Sequence, residues 1–427
     1  MTARPGTLPR PSGIWPILTL TALLACAVFA ERVFLLVDVG DGQAAVVEIL
    51  PGVIVVVALA FIARSRGRSL EVLRDRSFLV IWAPYLVLAL ALPVIGVVAG
   101  QVPVRGLAAA RMPIVAVSAL IVGAELRRRT SRPVATRLLA CSAAIVCGYA
   151  VIQQLAAAKL LWSGLATSIH AWDVATQRAY GTSVVVGRAS AFYTNPNILG
   201  AWSVTALLVG IFVARGWLRY AITTLALGSL ILSQSRGATV GLLAAFVFGL
   251  ALAWRRRTLP SLRALLPYVA SLGAVLIGWY LLTLAGAPTA SFFERFGRAL
   301  GIVIGLDDPN MAGRVQFWES SMALYRSHPL GTFGPPEMLL GTAVDSEWVR
   351  TLLQGGPLLV ATLGLALFGG AFALRGRGPD TWAVRSLSIF IAVAGIAEIP
   401  LQYPPAVIYW ALIGAMLVAP RRAARKA

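Results

Sequence analysis

Apolar stretches of membrane-crossing length recur along the chain, and short polar segments punctuate them. A helix that crosses the hydrocarbon core of a bilayer needs about 20 predominantly apolar residues. The first six stretches are Ile14 to Ala30, Val46 to Ile62, Phe78 to Ala99, Leu107 to Ala124, Leu138 to Gln154 and Ile198 to Ala214. Six more follow: Tyr220 to Leu232, Ala238 to Trp254, Leu265 to Ala285, Val349 to Leu374, Ser386 to Pro400 and Ala406 to Ala419. The pattern predicts an all-α, polytopic membrane protein of about 12 transmembrane helices, with residues 1–427 as a single integral membrane domain. Arg4 and Arg10 precede the first stretch, and Leu23-Leu24-Ala25-Cys26 within it resembles a lipoprotein cleavage box. With so many spans behind it, this stretch reads as a first transmembrane helix.

The basic residues orient the spans. Arg64, Arg66, Arg68, Arg74 and Arg76 follow the second span, and Arg127, Arg128, Arg129, Arg132 and Arg137 follow the fourth. Arg215 and Arg219 follow the sixth, Arg255, Arg256 and Arg257 the eighth, and Arg375 and Arg377 the tenth. Arg421, Arg422, Arg425 and Lys426 close the chain. Once the spans alternate, all these clusters fall on one side, which the positive-inside rule makes cytoplasmic. Both termini are then cytoplasmic, and the expected location is a bacterial cytoplasmic (inner) membrane.

Composition agrees. Hydrophobic residues make up 58% of the chain and charged ones 13%, against about 45–50% and about 25% in soluble domains. The net charge of +20 is scattered between apolar runs. That arrangement speaks for membrane topology and against a nucleic-acid-binding face. Cys26, Cys141 and Cys147 all lie in apolar runs, with no disulfide framework and no metal-ligand spacing.

Two segments on the other, extracytoplasmic face are long: 156–197 and 286–348. Loops of that length are uncommon unless functional. In the second, Phe292, Phe293, Phe296 and Leu300 repeat at helical spacing, with Arg295 and Arg298 between them. Val315, Trp318, Met322 and Tyr325 form another such stripe, and both predict amphipathic helices. The spans themselves offer little chemistry. Glu48 and Glu398 lie near predicted ends, and no chain of Asp, Glu or His suggests a proton relay.

The outer face carries Arg188, Arg236, Arg295, Arg298, Arg314, Arg326 and Arg350, against the positive-inside bias. A guanidinium fork suits phosphate oxygens; contact with lipid headgroups or a surface ion pair is the plainer reading of any one of them. Arg236 stands out, because the seventh span leaves only a short run between Arg219 and Arg236. A short span draws its ends toward the membrane, so Arg236 is expected near headgroup depth in Ser233-Gln234-Ser235-Arg236-Gly237, where a serine can cap the next helix. Asn195 as N-cap and Pro196 at the first helical position predict a helix start just after Arg188. His328 stands before Pro329 in a turn, where a structural role is the plainer reading. Asp345 and Glu347 precede the tenth span; they suit a helix N-terminus, or a general base facing water.

Taken in order, these segments resemble the bacterial O-antigen ligase/polymerase superfamily of membrane glycosyltransferases. The pieces are Arg188 through Gly200, Ser233 through Gly237, Gly313 through Trp318, His328-Pro329-Leu330-Gly331-Thr332-Phe333-Gly334, and Asp345 through Gly356. The resemblance covers Arg188 to about Gly370, and the first third agrees only in hydropathy. It implies a glycan donor on a polyprenyl (undecaprenyl-type) diphosphate, a glycan or lipid acceptor hydroxyl, and no cofactor, nucleotide sugar or metal. It implies that Arg188, Arg236 and Arg314 bind the diphosphate, with Asn197 and Trp318 completing the substrate-binding set. Asp345, Glu347 and His328 are the catalytic candidates. Ligases of this kind often carry a His-Asn pair before the tenth span, where this chain has Val344-Asp345-Ser346-Glu347. That departure leans toward a polymerase or another surface-glycan ligase. The alternative is a polysaccharide transporter or flippase, which predicts internal repeats and intramembrane polar residues that are scarce here.

Overall fold

The computed structural model describes residues 14–38, 44–179, 188–255, 262–286, 309–374, 376 and 378–418. The second-loop stripe at Phe292 to Leu300 lies outside the described residues.

A helix stands at every predicted span. These are α1 (Trp15–Phe29), α2 (Ile49–Arg64), α3 (Arg76–Ile81) with α4 (Ala83–Val98), α5 (Arg111–Arg129) and α6 (Arg132–Ala157). After α7 (Ser163–Ala179) come α8 (Pro196–Phe212), α9 (Trp217–Ser233), α10 (Arg236–Arg255) and α11 (Leu262–Leu284). The last group is α12 (Pro309–Ser327), α13 (Glu337–Leu340), α14 (Glu347–Phe368), α15 (Pro379–Ala394) and α16 (Ala406–Leu417). Five stretches are each long and apolar enough to cross a membrane: Trp15–Arg32, Val104–Arg129, Arg132–Ala157, Arg236–Arg255 and Glu347–Ala373. A sixth arises if Ile49–Arg64 and Arg68–Arg74, bent by 108°, count as one. Ala83–Val98, Pro196–Phe212, Trp217–Ser233, Tyr268–Leu284 and Ala406–Leu417 are apolar but shorter. Large apolar side chains such as Val56, Leu59, Val87, Val247 and Ile277 face outward. Exposed apolar surface on this scale suits lipid as solvent, so the chain is an integral membrane protein.

Two expectations shift. Ala44–Glu48 pair antiparallel with Phe34–Asp38, Phe34 opposite Glu48, so the chain is not wholly helical. The second helix therefore starts at Ile49, not Val46, with the Ile49 N–H donating to the Val33 carbonyl at 3.0 Å. The third span is two helices. Pro84 in the first turn of α4 lacks an N–H, and Trp82 fills the joint, fully buried.

Close backbone approach holds the centre. A side chain on Gly123 of α5 would run into the Ala411 carbonyl of α16, and one on Gly414 into the Leu120 carbonyl. Apolar surface alone does not drive helices together in lipid, so such small-residue seams carry the packing. One end of the bundle gathers the arginine-rich connections, where Glu125 is buried and accepts from Arg128, Arg129 and Ser69. The opposite end gathers Arg188, Arg236 and Glu347.

Candidate functional site

Three short loops and one broken helix meet at that opposite end. The first loop runs from Arg188 to Asn195. Its backbone leans on the end of α9, with the Ala189 N–H donating to the Leu232 carbonyl at 3.0 Å. Arg188 Nε donates to the Ser233 carbonyl at 2.9 Å, and Nη2 to Asn197 Oδ1 at 2.7 Å. Asn195 caps α8 through the Asn197 N–H at 2.8 Å, with Pro196 in the first turn, as the sequence predicts.

The second loop is the α9–α10 turn. Gln234 takes a left-handed conformation at φ +51° and ends α9. Ser235 Oγ accepts from the Ala238 N–H at 3.2 Å, so a serine does cap α10, and donates to Glu398 Oε1 at 2.9 Å. Gly200 lets α8 touch this turn: a Cβ there would stand 2.5 Å from Ser235 Cβ. Arg236 opens α10, half-buried, between this turn and Gly237, against which the Glu398 carboxylate packs.

The third loop fits a break in α14. Gly355 (φ −143°, ψ 20°) and Gly356 (φ +65°, ψ −166°) leave the helical region, and Pro357 has no N–H for the Leu353 carbonyl. The loop His328 to Gly334 supplies the missing donors. Thr332 N–H reaches the Leu353 carbonyl at 2.7 Å and Phe333 N–H the Gln354 carbonyl at 3.0 Å. Non-helical backbone within a membrane protein persists where the protein itself satisfies it. Gly331, at φ +96°, is needed because a Cβ would lie 2.6 Å from the Gln354 carbonyl oxygen. Ala191, Gln234 and Phe333, one in each loop, are non-glycine residues held at positive φ. Such strain concentrates at functional sites.

The first turn of α14 joins these parts. Ser346 caps it, accepting from the Val349 N–H at 3.3 Å. Glu347 is 1% exposed. Its Oε2 accepts from the Leu401 N–H at 3.0 Å and its Oε1 from Gln402 Nε2 at 3.3 Å. Its backbone N–H donates to the Gly395 and Glu398 carbonyls. Arg350, also buried, donates from Nε to Glu337 Oε1 at 2.8 Å and from Nη1 to Gln354 Oε1 at 3.1 Å. Tyr403 lies beside Glu398, Asp345 and Glu347; burial, then the Glu398 carboxylate, holds its phenol well above the usual tyrosine range.

The fold thus brings Arg188, Asn197, Arg236, Asp345 and Glu347 into one connected patch. Their environments differ. Asp345 is exposed, whereas both oxygens of Glu347 are engaged by the α15–α16 connection. A carboxylate so enclosed has no path to water, which separates Glu347 from the sequence expectation of a base. His328 is exposed and pairs through Nδ1 with Ser327 Oγ at 2.9 Å, at the rim of the third loop. Trp318 is half-buried on α12. That helix forms where the second stripe predicts one, but Met322 is exposed and the inward face runs through Phe317, Trp318, Ser321, Leu324 and Tyr325. Arg314 lies on α12, and its side chain is outside the described residues. The long segment 156–197 contains α7, which periodicity did not signal.

A clamp behind the first loop escaped the sequence reading. Arg32 pairs with Asp173 Oδ1 at 2.6 Å, donates to Thr176 Oγ1 at 2.6 Å, and donates to the carbonyls of Phe192 (3.1 Å) and Ala191 (3.0 Å). Glu31 Oε2 accepts from the Thr194 N–H at 2.7 Å and its hydroxyl at 3.1 Å. Gln153 Oε1 accepts from the Ala191 N–H at 2.8 Å, and its Nε2 donates to Asp173 at 2.7 Å. Tyr149 stacks on Phe192 with ring centroids 4.5 Å apart. The one available signal was a charged pair, Glu31-Arg32, closing the first apolar run.

Residues 221–363 match the O-antigen ligase family model. Over these residues, about a third of the chain, it is similar to the O-antigen ligase family. The match runs from α9 to α14, so the O-antigen ligase region includes Arg236, the loop from His328 to Gly334 and the broken helix. Arg188, Asn197 and their clamp precede it and reach it by folding. A search of curated proteins finds no match to this chain. The match supports a ligase- or polymerase-type role in glycan transfer and lends no support to the transporter reading.

Proposed function

We propose that the chain transfers a glycan from a polyprenyl diphosphate to an acceptor hydroxyl at the extracytoplasmic face, within a fold of about 12 crossings. One observation carries this reading. Arg188, from the loop before α8, is seated by a 2.9 Å hydrogen bond on Ser233, in the turn that presents Arg236. Two arginines from separate segments thus flank the turn that opens α10, where backbone N–H groups also favour an anion. The end opposite the arginine-rich connections is the outer one by the positive-inside rule.

In this reading the acceptor oxygen attacks the anomeric carbon, and the bond from that carbon to the diphosphate oxygen breaks. The lipid diphosphate leaves with the electron pair, and Arg188, Arg236 and Arg314 stabilise its growing charge. Asp345, exposed at the mouth, takes the acceptor proton. Asn197 holds the Arg188 fork in place, Trp318 offers an apolar wall to a sugar ring, and His328 borders the entrance. Glu347 and Arg350 keep the broken helix in register.

The test is glycan transfer by purified protein in vesicles with a polyprenyl-diphosphate oligosaccharide. Arg188→Ala and Arg236→Ala, each at wild-type membrane level, are expected to lose transfer by 100-fold or more, a loss of about 2.7 kcal/mol in barrier stabilisation. Normal transfer in both variants would overturn the reading.

A further inference from the structure

The cavity inside the bundle lies away from this site, toward the arginine-rich end. Its space is about 140 Å³, and its walls are apolar: Leu20, Leu23 and Leu24 of α1, Leu139 of α6, Val209 of α8 and Ile408 of α16. A cavity of about 150 Å³ lined this way accepts a six-carbon ring and stays dry. The rim differs in chemistry. Arg127, Thr130 and Arg132, around the α5–α6 connection, and Asp380 of α15 line the same space. Arg132 Nη2 pairs with Asp380 Oδ2 at 2.9 Å and Arg127 Nη2 with the same oxygen at 3.8 Å. Two guanidiniums thus share one carboxylate, leaving one positive charge in excess. Arg127 Nε, Arg132 Nε and Thr130 Oγ1 are buried with no hydrogen-bond partner among the described residues. Burying three such groups without partners is unfavourable. The arginine side chains are 23% and 26% exposed, so the rim reaches the surface.

We infer that this cavity is a binding site for an anionic membrane phospholipid, the first carbons of one acyl chain among the α1, α6, α8 and α16 walls, the rest of the chain in the bilayer, and its phosphodiester on Arg127, Thr130 and Arg132. A phosphodiester carries one negative charge, which equals the excess at the rim. Its two non-ester oxygens accept from the two Nε donors and the threonine hydroxyl. A polyprenyl diphosphate carries more charge than the rim balances. The occupant joins α1, α5, α6, α8, α15 and α16, so it steadies the helices that carry the glycan site without taking part in transfer.

The experiment is native mass spectrometry of the full chain released from vesicles of phosphatidylglycerol and phosphatidylcholine in equal amounts. One phosphatidylglycerol per chain is expected to remain bound, favoured over phosphatidylcholine about tenfold or more, the worth of a charge-assisted hydrogen bond. Arg127→Gln with Arg132→Gln is expected to abolish the preference. Ala135→Trp, which fills the cavity from α6, is expected to abolish retention. Equal retention of both lipids, no retained lipid, or unchanged retention in these variants overturns the inference. Should the variants fail to fold, the wild-type competition decides alone: displacement of phosphatidylglycerol by equimolar phosphatidylcholine overturns it.

Discussion

Arg188 Nε donates to the Ser233 carbonyl across 2.9 Å, so a residue ahead of α8 is fixed to the turn that opens α10. The same fork reaches Asn197 Oδ1 at 2.7 Å, which sets the guanidinium plane from a second side. Lysine keeps the charge but not this fork. Arg188→Lys is therefore expected to lower transfer by about 10- to 100-fold, the worth of about 1.5–3 kcal/mol in charge-assisted hydrogen bonds. Initial rates in vesicles at matched protein level check it; a rate within twofold of wild type would show that charge alone suffices.

Arg32 and Asp173 form a buried pair at 2.6 Å behind the first loop. Removing either partner strands the other, a loss of about 3–5 kcal/mol. Arg32→Ala and Asp173→Ala should each lower thermal stability in detergent. The double variant should lose less than the sum of the two, because neither charge is then left alone. Strict additivity in melting measurements would refute the coupling.

Asp345 and Glu347 are two residues apart and are expected to fail differently. Asp345→Asn should fold normally and lose turnover by about 100-fold or more. Glu347→Gln puts an amide N–H₂ near the Leu401 and Gln402 donors and should destabilise by about 1–3 kcal/mol. Size-exclusion profiles, melting and transfer rates separate the two. Wild-type turnover in Asp345→Asn would eliminate it as the base.

The break in α14 rests on its glycines more than on its proline. Gly356, at φ +65° and ψ −166°, occupies a region that is nearly glycine-only. Gly356→Ala is expected to destabilise by about 1–3 kcal/mol, and Gly331→Ala similarly, since its Cβ would meet the Gln354 carbonyl. Pro357→Ala should change stability by less than about 1 kcal/mol, because Thr332 already satisfies Leu353. A larger loss for Pro357→Ala than for Gly356→Ala in melting measurements would reverse this ranking.

Much of the architecture was legible along the chain. Apolar length placed a helix at each predicted span, because hydrocarbon rewards nothing else over a full crossing. Arginine placement separated the two ends, and Asn195-Pro196 and Ser235 marked helix starts because capping is local chemistry. The resemblance lay in short motifs, and the fold sets those at Arg188, Ser233, His328 and Asp345 near one another. Periodicity failed where pairing between distant segments decided the outcome. The Phe34–Asp38 and Ala44–Glu48 hairpin shortened a predicted helix, and α7 lies in a segment that the span pattern left as a loop.

Tertiary structure alone decided which polar residues stand together. Glu31, Arg32, Gln153 and Asp173 belong to no motif in the sequence, yet their hydrogen bonds converge on the loop that carries Arg188. Asp345 and Glu347 look equivalent in sequence, but one faces solvent and the other is enclosed by residues 395–402. Crossing a membrane is a property of one segment against its solvent, so a single stretch of sequence determines it. The burial and partners of a polar group depend on which distant segments close over it, and only the packed bundle determines that.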